Sequence, residues 1–141
     1  MTGDDSLFTI TEAHLDSGMR GIPVGTCKTS FVDPIEGVHY VGYPVEDLAN
    51  LEEEDVIYLL MYKRLPTEEE SEAFRTELAH RAMEIPTGAL RVLESLTPGS
   101  GHPMDWLSMG IMALGAADTT GDVRTDSMNL IARMPELMAR I

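Results

Sequence analysis

GHPMDWLSMGIMALGAAD, residues 101–118, is an almost unbroken apolar stretch. Met104, Trp106, Leu107, Met109, Ile111, Met112, Ala113 and Leu114 fall all round a helical wheel. The spacing therefore predicts a helix over 103–117 that is buried on most sides. His102 precedes Pro103 at its start, where an imidazole can hydrogen-bond the backbone groups that a first turn leaves over. Gly110 costs about 1 kcal/mol in a helix interior, which a close helix crossing would offset. A helix this apolar needs neighbours, and the flanking sequence supplies them.

Downstream, Met128, Leu130, Ile131, Met134, Leu137, Met138 and Ile141 predict a last helix over 123–141, with a kink expected at Pro135. Ile141 falls inside this apolar pattern without a glycine cap, so the pattern is expected to continue past it. Upstream, Gly and Pro mark a loop at 97–101, after a short helix over 87–96 opened by Pro86. Thr67 and Glu70 form a capping box for a helix over 68–83 that places Ala73, Phe74, Leu78 and Ala79 on one stripe. Residues 52–62 predict another helix, stopped by Lys63, Arg64, Leu65 and Pro66, and residues 44–49 a short one with Pro44 in its first turn.

The amino-terminal third reads differently. Residues 26–32 are rich in β-formers, residues 33–37 carry turn chemistry, and residues 38–41 form a second short strand. The chain is thus expected to be mainly α, a helical bundle over 44–141 preceded by a β-hairpin over 26–43 and an extended arm over 1–25. The methionines, ten of them, fit packing at helical spacing better than a promiscuous peptide groove.

Charge limits the partners. The net charge is −14, and residues 44–84 hold twelve acids against four bases. A surface this acidic repels phosphate backbones and disfavours nucleic acid. The acid runs 52–55 and 68–70 stand at helix starts, where carboxylates meet the positive end of the macrodipole. A metal site in the first run is not expected, because consecutive helical positions point apart. No apolar run reaches the length of a membrane span. The single cysteine, Cys27, excludes an internal disulfide framework and fits a reducing cytoplasm. Its place on a strand suggests a buried small hydrophobe. His80, in an acidic helix, is expected to face solvent beside a carboxylate, and His39 to lie on a strand. Spacing alone marks no catalytic group and no metal site. Arg20, in Gly18-Met19-Arg20-Gly21, stands out only because a loop guanidinium can present a fork to phosphate.

Four separated motifs resemble one family. GMRGIPVGTCKTSFVDPIEGVHYVGYPVEDLA at 18–49, RLPTEEE at 64–70, GHPMDWLSMGIMALGAAD at 101–118 and NLIARMPELMARI at 129–141 occur in the order found in citrate synthases of the long, mitochondrial-like type. The resemblance runs from about Leu15 to Ile141 and is weaker over 118–127. It implies the amino-terminal part of the family's large helical domain, and a homodimer with the helix 103–117 in the interface. It also implies condensation of acetyl-CoA with oxaloacetate to citrate and CoA, a step of the tricarboxylic acid cycle, with acetyl-CoA as substrate and no covalently bound cofactor.

In that family an aspartate removes a methyl proton, one histidine stabilises the enol and a second assists at the oxaloacetate carbonyl. The motifs that carry these residues, and the arginines that hold oxaloacetate, do not occur in this sequence. The chain is therefore expected to be inactive alone and to work with the remainder of a synthase or a complementary subunit. Arg20 alone matches a family position, one that contacts CoA phosphates; Arg124 lies in the weak stretch and does not align with the family's other phosphate-binding arginine. Rival readings are a non-catalytic module that dimerises or regulates a full-length synthase, and a portion of a 2-methylcitrate synthase or a citryl-CoA lyase.

Overall fold

The structure, a computed structural model, describes residues 8–18, 20–95 and 101–141. Among these, a three-stranded antiparallel sheet precedes six α-helices, so the architecture is mainly helical with a small sheet, as expected. The stretch ahead of the sheet is not uniformly extended: Thr11 and His14 cap a single 3-10 turn at Glu12–His14.

Strand β1 (Ser30–Asp33) pairs with β2 (Gly37–Tyr40), and β2 with β3 (Tyr43–Pro44). The register sets Phe31 opposite His39 and Val32 opposite Val38. Asp33 closes the turn by accepting hydrogen bonds from the backbone of Ile35 and Glu36 at 2.7 and 2.8 Å, which holds its carboxyl below the usual range. The first strand is shorter than expected, starting at Ser30 rather than at residue 26, and β3 had no sequence signal because it is two residues long.

The helices are α1 (Val45–Leu48), α2 (Glu53–Tyr62), α3 (Glu68–Ala82), α4 (Thr87–Glu94), α5 (Pro103–Asp118) and α6 (Val123–Ala139). The capping box forms on α3: Thr67 Oγ1 accepts from the Glu70 backbone at 3.3 Å, and Glu70 accepts from the Thr67 backbone at 2.9 Å. Helix α2 ends on Lys63 in the left-handed region, and Lys63 Nζ returns to the Leu60 carbonyl. The loop expected over 97–101 lies outside the described residues except for Gly101, and so does Leu96.

Helix α6 is the spine. Its first half carries Met128 and Ala132 into a cluster with Tyr58 of α2 and Phe74 and Leu78 of α3. Its second half carries Leu137 into a cluster with Ala89 and Leu93 of α4 and Leu114 of α5. Pro135 sits inside α6 between these halves. The buried stripe of α3 is Ser71, Phe74 and Leu78, while Ala73 and Ala79 are exposed. Ser71 replaces an expected apolar contact because its hydroxyl donates to the Asp55 carboxylate of α2, which satisfies it in the core. The sheet belongs to neither cluster: Phe31 and Val32 are 63% and 66% exposed.

Candidate functional site

Arg20 lies in a turn between Gly18 and Gly21, both with positive φ (60° and 73°). Its backbone N–H donates to the Ser17 carbonyl at 3.4 Å, and its side chain is exposed. Among the described residues the guanidinium makes no ion pair. Arg124, by contrast, lies over the Tyr62 ring, 4.6 Å from its centroid.

Cys27 corrects an expectation. It is exposed, because residues 26–29 lie ahead of β1 and outside both clusters. Its sulfur lies 3.4 Å from the hydroxyls of Ser30 and Thr29, and these contacts, Ser30 first, lower the thiol pKa to about 6. His39 lines the same open cleft, with its Nδ1 buried and unpartnered.

His102 and His80 stand where the sequence put them. His102 caps α5, its Nδ1 accepting from the Met104 backbone at 3.1 Å. His80 faces solvent 3.8 Å from Glu84. The carboxylates of Glu52, Glu53 and Glu54 converge to within 4.8 Å, against the expected divergence. Glu52 precedes α2 in extended backbone, so helical spacing does not apply to it.

Helix α5 is covered on one side only. Gly110 and Leu114 are buried, whereas Met104, Met109 and Met112 are 58%, 42% and 74% exposed. A side chain at Gly110 would meet Leu137 Cδ1 at 2.8 Å and Leu93 Cδ2 at 3.2 Å. The expected close crossing is therefore a junction of α4, α5 and α6. The uncovered face leaves a row of large apolar side chains along a helix with one early acidic residue, Asp105.

The structure also buries a charge that the sequence did not announce. Arg133 is 5% exposed and its Nη1 donates to Asp118 at the end of α5. Asn129 Nδ2 donates to the same carboxylate at 3.2 Å and its Oδ1 accepts from Arg81 of α3. Arg133 Nε also donates to the Arg81 carbonyl at 3.4 Å. The network ties α3, α5 and α6 together and borders a cleft of about 170 Å³ lined by Ile111, Leu114 and Leu130. Its only sequence signal was an arginine inside the apolar pattern of the last helix.

Comparison with known proteins agrees with this architecture. A family model described as "Citrate synthase, C-terminal domain" matches residues 18–141. The citrate synthase of Haloferax volcanii is 36% identical over 138 residues, covering 89% of this chain and 36% of the relative. Citrate synthase 3, mitochondrial, of Saccharomyces cerevisiae is 30% identical over 165 residues, covering 99% and 34%. The 2-methylcitrate synthase 1 of Corynebacterium glutamicum is 32% identical over 139 residues, covering 92% and 36%. The crystal structure of citrate synthase from Thermotoga maritima superposes with a TM-score of 0.73 at 29% identity, covering 86% of this chain and 32% of that one. The chain thus spans about a third of the length of the relatives it matches. The shared helical architecture and the family match over residues 18–141 establish that this chain belongs to the citrate synthase family.

Proposed function

We propose that this chain supplies the amino-terminal part of the helical domain of a citrate synthase, the enzyme that joins acetyl-CoA to oxaloacetate. The observation that carries the reading is the coincidence of four ordered motifs with a fold that superposes on a citrate synthase at a TM-score of 0.73. The chain's part in the reaction is scaffold and surface. It holds the α4–α5–α6 junction, presents the apolar face of α5 to a second copy, and offers Arg20 to the phosphates of acetyl-CoA.

Charge supports the division of labour. Acetyl-CoA and oxaloacetate are anions, and a chain of net charge −14 needs basic residues from elsewhere to hold them. The proton-transfer groups then come from the remainder of the synthase or a complementary subunit. The single cysteine supports a reducing compartment such as the cytoplasm, and no described helix is long and apolar enough to cross a membrane.

The similarity to a 2-methylcitrate synthase supports a second reading, in which the chain is part of such a synthase rather than of a citrate synthase. A chimera tests the role of Arg20: residues 18–141 replace the matching stretch of the Haloferax volcanii citrate synthase. Arg20→Ala in that chimera is expected to raise the KM for acetyl-CoA while leaving that for oxaloacetate unchanged. An unchanged acetyl-CoA KM removes the assignment.

A further inference from the structure

We draw no further inference here: the strongest candidate, the open cleft beside the sheet lined by exposed Cys27 and by His39, rests on a lone cysteine with no second observation that points to a ligand.

Discussion

Arg133 and Asp118 form an ion pair across the α5–α6 boundary, with the arginine side chain 6% exposed and the aspartate 34%. Burying a guanidinium is costly, and here the cost is offset by the carboxylate and by the Arg81 carbonyl. Removing the carboxylate leaves the charge stranded. Asp118→Asn is expected to destabilise the fold by about 3 kcal/mol, because breaking a buried pair costs more than the pair contributes. Replacing both partners, Arg133→Met with Asp118→Leu, should recover part of that loss, the remainder being the acceptor that Asn129 Nδ2 loses and the donor that the Arg81 carbonyl loses. Urea unfolding followed by circular dichroism measures both, and a double variant no better than the single one would contradict the pairing argument.

Gly110 is held at the junction by Leu93 and Leu137, which are 7% and 1% exposed. Gly110→Ala gains about 1 kcal/mol of helix propensity but forces a methyl into overpacked space, at about 1–3 kcal/mol. The packing term wins, since both leucines are enclosed. A lowered urea midpoint is expected, and a raised one would show that the junction can open.

Glu70 sets a pH dependence. Hydrogen bonds from Arg64, then from the Thr67 backbone, hold its carboxyl at about 2, down from 4.5. Because the folded value lies below the unfolded one, its contribution is complete above about pH 4.5 and is lost as pH falls towards about 2. The urea midpoints of the wild type and Glu70→Gln should therefore differ by a constant amount at neutral pH and converge across that window. A gap that stays constant down to pH 2.5 would overturn the assignment.

These three sites differ in how far the sequence revealed them. The Thr67–Glu70 box was legible because capping chemistry is local. Gly110 was legible because a glycine in an otherwise apolar helix asks for a close neighbour. Arg133 was not, since its partner lies 15 residues away on another helix and arginines are usually solvated. Cys27 misled for the opposite reason. Its neighbours favour strands, but burial depends on whether a sheet has a cover, and this one lies outside both clusters. The Ala73 and Ala79 positions failed because small residues carry little burial signal, while Ser71 entered the core through a hydrogen bond. Arg20 was singled out by its motif, and composition alone would have passed over it.

A net charge of −14 opposes compaction, and the clustered carboxylates of Glu52, Glu53 and Glu54 concentrate it. Raising NaCl from about 0.1 to about 1 M shortens the screening length from about 10 to about 3 Å. The urea midpoint of the wild type should rise with salt, and Glu53→Gln should rise less steeply. A midpoint that ignores salt would mean that the repulsion is already relieved.

The most direct test of the family reading as a division of labour is thiol release from acetyl-CoA in the presence of oxaloacetate. It is measured for this chain alone and for the chimera with the Haloferax volcanii synthase. Release is expected from the chimera, and none above background from the 141-residue chain. Turnover by the chain alone, or a folded, dimeric chimera that releases no thiol, would contradict it.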